Sequence, residues 1–113
     1  MKRIVAIIRP EKFEDVKKAL DKEGFNGLNI TEVKGRGRQK GTQEKYRGSN
    51  YCIDLIPKIR LEVILKEGQL DKAINIILEN AKTGEEGDGK IFVSPVHEVI
   101  RIRTGETHYD AID

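Results

Sequence analysis

Two short stretches of the 113-residue chain combine glycines with charged side chains: Gly35-Arg-Gly-Arg-Gln-Lys-Gly41 and Gly84-Glu-Glu-Gly-Asp-Gly-Lys90. Glycine lets a backbone turn with positive φ and approach a ligand closely. Successive N–H groups in such turns form concavities that hold anions. Lysine and arginine beside them supply the charge that phosphate or carboxylate requires. Arg101 and Arg103 add two more guanidinium groups, which share one face if the segment is a strand. The chemistry these residues suit is the binding of a polyphosphate. Neither stretch is a generic fingerprint. The first misses Gly-x-Gly-x-x-Gly by one residue and opens no helix; the second lacks a Ser or Thr after Lys90 and runs from helix to strand, the reverse of a P-loop. Two turns with ordinary turn residues fit the same letters, and on the residues alone both readings stand.

No catalytic set accompanies them, and the chain is expected not to be an enzyme. His97 and His108 lack metal-ligand spacing. Cys52 is the sole cysteine, which excludes an internal disulfide and a cysteine zinc cluster; it reads as a small buried hydrophobe. The carboxylates are numerous but dispersed, so no acid–base pair stands out. Net charge is only +2, yet residues 34–47 hold six cations against Glu44, so the rest of the chain is acidic. The segment from Gly35 to Tyr51 has few large apolar residues and is expected to be exposed and mobile, with an effector loop over 37–55. No apolar run approaches the ~20 residues of a membrane span. Met-Lys-Arg-Ile-Val lacks the apolar stretch of a leader, and a cytoplasmic location is expected.

The elements that must position these residues follow from periodicity. The length suits one domain, residues 1–113. Residues 2–8 are a near-continuous apolar run and predict a central strand, stopped by Arg9-Pro10. Phe13, Val16, Ala19 and Leu20 predict a helix over 11–23 that Gly24 caps. Residues 28–34 predict a second strand. Ile59, Leu61, Val63 and Leu65 alternate with Arg60, Glu62 and Ile64, which predicts a third strand over 58–66. Leu70, Ala73, Ile74, Ile77, Leu78 and Ala81 predict a helix over 69–82. A glycine-rich turn over 83–90 leads to a strand from Lys90, interrupted at Pro95 and resuming to Arg103; 101–113 form a C-terminal segment. The order β-α-β-β-α-β is that of an α+β ferredoxin-like sandwich. Val5, Ile7 and Ile64 place apolar groups on the second sheet face, which predicts an oligomer.

At these residues the chain resembles the PII nitrogen-regulatory signal-transduction family. The resemblance covers nearly the whole length and rests on three runs: 32–41, Tyr46-Arg-Gly-Ser-Asn-Tyr51, and 83–96 followed by Arg101-Ile-Arg103-Thr-Gly105. It implies a homotrimer with nucleotide sites in the clefts between subunits. Gly35, Gly37, Arg38 and Gln39 would come from one side; Gly87, Asp88, Gly89 and Lys90, with Arg101 and Arg103, would complete a phosphate cradle, and Ile64 would touch the adenine. The resemblance also implies sensing of 2-oxoglutarate together with Mg2+ and ATP. Gln39 would ligate the metal, Lys58 would pair with the distal carboxylate, and backbone around Gln39, Lys40 and Gly41 would hold the rest. The magnesium ion would offset the repulsion between two anions.

The resemblance further implies an output through the loop. Arg47 would contact an ammonium transporter, glutamine synthetase is another target of this class, and Tyr51 matches a position modified in some bacterial members. Recruitment to a membrane would occur only through the transporter. Asn50, Arg36, Asn29, Lys82 and Glu86 depart from the common pattern. A basic loop on a ferredoxin-like sheet is also compatible with a nucleic-acid-binding module. Sheet readers of that kind stack bases on aromatics, and the strands offer only Phe92, so no nucleic acid is expected.

Overall fold

A computed structural model of the chain describes residues 1–36 and 55–112. Four strands and two helices follow in the order β1 (Lys2–Ile8), α1 (Phe13–Lys22), β2 (Leu28–Arg36), β3 (Leu55–Leu65), α2 (Leu70–Ala81) and β4 (Lys90–Pro95). The strands form one antiparallel sheet in the order β2-β3-β1-β4. Each helix joins two strands that are separated in the sheet by a third, which is the split arrangement of the ferredoxin-like fold.

Period-two alternation decides the layers. On β1, Ile4, Ala6 and Ile8 are buried; on β3, so are Leu61, Val63 and Leu65. Val16 and Leu20 of α1 and Ala73, Ile77 and Ala81 of α2 meet them in one core, with Phe25 beside them. The small side chains of Ala73 and Ala81 let α2 lie close to the sheet. Lys72 and Glu23 form a 2.7 Å ion pair at the solvent edge of the helix layer. Val5, Ile7 and Ile64 lie half-buried on the opposite sheet face, where Phe92 is also exposed.

Boundaries differ from the sequence expectation where backbone pairing takes over. A single 3-10 turn, Pro10–Lys12, precedes α1 because Pro10 pre-sets φ but brings no N–H. Gly24, with φ +88°, ends α1 as anticipated, and the N–H of Phe25 returns to the carbonyl of Leu20. The β2–β3 pair runs further than its apolar letters indicate, to Arg36 opposite Leu55, because ladder hydrogen bonds do not require apolar side chains. Gly35 and Arg36 therefore belong to a strand, not to the loop.

The last strand is a correction. It does not resume after Pro95. β1 has its first paired residue, Lys2, opposite Pro95, and only the N–H of Val96 reaches back to Met1. Beyond that point the neighbouring strand has ended, so residues 96–99 are not strand and His97 lies outside the sheet. Arg101 starts a turn: its carbonyl accepts from Gly105, which has φ +73°, and its side chain pairs with Glu106 at 2.8 Å. Arg103 lies inside the turn, so the two guanidinium groups do not share a strand face.

Leu61 is fully buried at the centre of the core, whereas Leu78 is half exposed. We expect Leu61→Ala to cost about 2–5 kcal/mol and Leu78→Ala to cost under about 1 kcal/mol. Urea unfolding at fixed protein concentration checks both; equal costs would contradict the core described here.

Candidate functional site

A cleft of about 700 Å³ opens where the end of β2, the middle of β3 and the loop between α2 and β4 converge. Gly35, Lys58, Gly87, Asp88, Gly89 and Lys90 line it together. Gly35, which opens the first glycine-rich stretch, thus shares one site with the second stretch some fifty residues later. The volume lies in the range of small-molecule pockets.

The loop is built from the inside by one carboxylate. Asp88 Oδ2 accepts hydrogen bonds from the backbone N–H groups of Thr83 and Gly84, each at 2.9 Å. Its Oδ1 accepts from the Thr83 hydroxyl and, at 2.9 Å, from Arg9 Nε. Arg9 also donates through Nη2 to the carbonyl of Glu86 at 2.6 Å. Lys58 Nζ donates to the carbonyl of Gly87. The loop between residues 83 and 89 is therefore tied to the end of β1 and to β3 rather than standing free.

Glycine is required at two of its positions. Gly87 and Gly89 both have φ +98°, where other residues are strained. A Cβ on Gly89 would also run into the carbonyl oxygen of Ile7, on the central strand. The N–H groups of Glu86, Gly87 and Gly89 have no acceptor among the described residues, while residues 86 and 87 form the inside of a hydrogen-bonded turn from Glu85 to Asp88. Free N–H donors on a turn with positive φ are of the kind that suits an anion, as in a nest.

Cations surround it. Lys58 is only 8% exposed. Burial pushes its ammonium below the usual lysine value and the charge of Arg9 adds to that, while Glu11 and Asp88 oppose it. An ammonium that is short of solvent and close to another cation gains strongly from an anion. Lys90 stands at the mouth of the cleft, and Glu85 and Glu86 line its rim.

Ile64, Arg101 and Arg103 are not among the residues lining this cleft within one chain. Ile64 lies on the open sheet face opposite Arg3. Arg101 and Arg103 lie in the turn after β4. Gly37, Arg38, Gln39, Lys40, Gly41, Arg47, Tyr51 and Cys52 fall outside the described residues. Arg9 is not among the site residues expected from the resemblance. Its signal was slight: a cation directly after an apolar central strand, held next to Pro10. Lys58 was singled out by resemblance, but its burial could not be anticipated from a charged letter.

The hydroxyl of Thr83, the Arg9 guanidinium and the N–H groups of Thr83 and Gly84 hold the Asp88 carboxyl well below its usual value of 3.8, against an opposing contribution from burial. A depressed carboxyl contributes stability that is fully present above the unfolded-state value and is lost as pH falls below it. We expect urea stability to decline as pH falls below about 4 and Asp88→Asn to remove part of that decline. Identical acid limbs for the two proteins would exclude this contribution.

Comparison with known proteins agrees with this architecture. The family model "Nitrogen regulatory protein P-II" matches residues 1–106. The chain is 54% identical over 112 residues to nitrogen regulatory protein P-II 1 of Methanothermobacter thermautotrophicus, covering 99% of this chain and 97% of that protein. It is 53% identical to nitrogen regulatory protein P-II of Azospirillum brasilense and 50% identical to that of Synechocystis sp., covering 99% of this chain and 100% of each relative. The chain belongs to the P-II family of nitrogen regulatory proteins.

Proposed function

We propose that the cleft binds the phosphates of ATP and ADP, and that the protein signals nucleotide and 2-oxoglutarate levels to a target in nitrogen metabolism. The observation that carries this reading is the set of unpaired N–H groups of Glu86, Gly87 and Gly89, placed beside Lys58 and Lys90. Donors held in place and unpaired are suited to an oxyanion, and a chain of them suits several phosphate oxygens. The family's printed name supplies the regulatory context.

2-Oxoglutarate carries two carboxylates and would be repelled by a neighbouring triphosphate. Mg2+ carried by ATP offsets that repulsion. Lys58 is the cation suited to the distal carboxylate, since its burial leaves it little water to give up. Gln39 would ligate the magnesium, with Lys40 and Gly41 next to it; Gly37 and Arg38 would extend the phosphate side. Loss of the γ-phosphate in ADP removes one set of these contacts, so the two nucleotides would favour different states of the protein.

Three copies would complete the site. Val5, Ile7, Ile64 and Phe92 give the open sheet face an apolar surface, and Ile102 is fully exposed between Arg101 and Arg103. Burying these groups in a homotrimer would bring Ile64, Arg101 and Arg103 of one copy towards the cleft of another. Output would run through the basic segment, with Arg47 contacting an ammonium transporter or a nitrogen-assimilation enzyme such as glutamine synthetase, and Tyr51 as an acceptor of modification in the bacterial manner. No helix among the described residues is long and apolar enough to cross a membrane. In this reading, membrane association would come through the transporter.

Two measurements test the reading. Calorimetric titration should show heat with ADP and with ATP, and heat with 2-oxoglutarate only when Mg2+ and ATP are present. Lys58→Ala should abolish the 2-oxoglutarate heat while an ADP isotherm stays measurable. Normal 2-oxoglutarate binding by the variant would remove Lys58 from that role. Light scattering at micromolar concentration should give three times the chain mass, and a monomer mass would remove the shared site.

A further inference from the structure

The nest depends on side chains that do not themselves face the anion. Asp88 is the unexpected member, because a carboxylate beside bound phosphates is repulsive. Its four acceptor positions are all occupied from within the protein, by the N–H groups of Thr83 and Gly84, the Thr83 hydroxyl and Arg9 Nε. The side chain therefore has no acceptor position left over, and a carboxylate has no donor to offer a phosphate. What it does is close a ring over residues 83–88.

Arg9 continues the same construction. Its side chain is 16% exposed and follows the last residue of the central strand. One guanidinium holds both Asp88 and the carbonyl of Glu86. Lys58 holds the next carbonyl, that of Gly87. In a planar trans peptide the C=O and the following N–H point in opposite directions. Fixing the carbonyls of Glu86 and Gly87 on two cations therefore turns the N–H groups of Gly87 and Asp88 away from those cations. The first of these lacks an acceptor among the described residues, and the second closes the turn from Glu85.

We propose that Asp88, Thr83 and Arg9 are positioning residues: they hold the loop between α2 and β4 with its N–H groups already aimed for a phosphate, without touching the ligand through their side chains. The inference rests on the nucleotide reading above. It makes an expectation opposite to simple charge counting. Removing the Asp88 charge should tighten nucleotide binding if electrostatic repulsion dominates. It should weaken binding if the carboxylate acts by ordering the loop, because the ordering then falls on the binding step.

The test is ADP titration of the full-length protein and of Asp88→Asn, Thr83→Val and Thr83→Ser. In Asp88→Asn the amide nitrogen faces donors it cannot accept from, so ADP should bind roughly 10- to 100-fold more weakly. Thr83→Val loses the hydroxyl and should weaken ADP in the same direction. Thr83→Ser keeps the hydroxyl and should bind within about threefold of the parent, the scatter expected when no interaction is lost. Hydrogen exchange should rise at residues 83–89 in the two weakened variants while the core amides of β1 and β3 stay protected. If the parent binds ADP and Asp88→Asn binds it equally or more tightly, the positioning role is overturned and the nucleotide reading stands. If Thr83→Ser is as weak as Thr83→Val, the hydroxyl is not the working group and the proposal fails for Thr83. A parent protein that gives no ADP heat overturns the nucleotide reading, and this inference with it. Should Asp88→Asn fail to fold, the Thr83 pair decides the matter.

Discussion

The ion pair between Arg9 and Asp88 joins the end of the central strand to the loop that follows the second helix. Most of the site depends on that join. Asp88 gathers Thr83 and Gly84; Arg9 reaches past it to Glu86. Both partners are shielded by the protein, with side chains 16% and 25% exposed, and the pair is satisfied by further hydrogen bonds. An ion pair in that setting is better placed than an isolated one on an open surface, where the exchange with water nearly cancels the gain. Its value here is geometric. It decides where a short glycine-rich segment lies relative to a sheet.

The sheet makes the join possible because β1 is paired on both sides. Alternation on β1 sends Ile4, Ala6 and Ile8 into the core and leaves Val5 and Ile7 on the other face. Its register with β4 then brings Lys90 opposite Ile7. Gly89 follows from that register: the backbone passes so close to Ile7 that a side chain has no room. One strand thus serves the core through one set of residues and the cleft through its end and its carbonyls. Lys58 does the same on β3, one residue before the alternating core run begins at Ile59.

The cleft concentrates opposite charges rather than one sign. Lys58, Lys90 and Arg9 stand against Asp88, Glu85 and Glu86. Within such a mixture the direction of each donor matters more than the sum of charges. The Asp88 carboxylate takes the N–H groups of Thr83 and Gly84 and no others, because backbone donors are fixed in direction.

Periodicity in the sequence determined the order of elements, the core faces of β1 and β3, and the stripe of α2, because burial of alternate or every third to fourth side chain is a local pattern. The two glycine clusters could be recognised as anion-suited for the same local reason: residue type limits backbone conformation. Resemblance to a family added roles for Lys58 and Asp88. Tertiary structure alone decided the rest. Gly35 and Gly87 share a cleft only because β2 and the loop before β4 converge. Arg9 acts across 79 positions of sequence, a partnership no spacing announces. Arg101 and Arg103 look like strand residues by alternation, but a strand requires a neighbour, and β1 has none left to offer beyond its first residue. Side-chain pattern is written locally; hydrogen-bond partnership depends on which segments arrive next to one another.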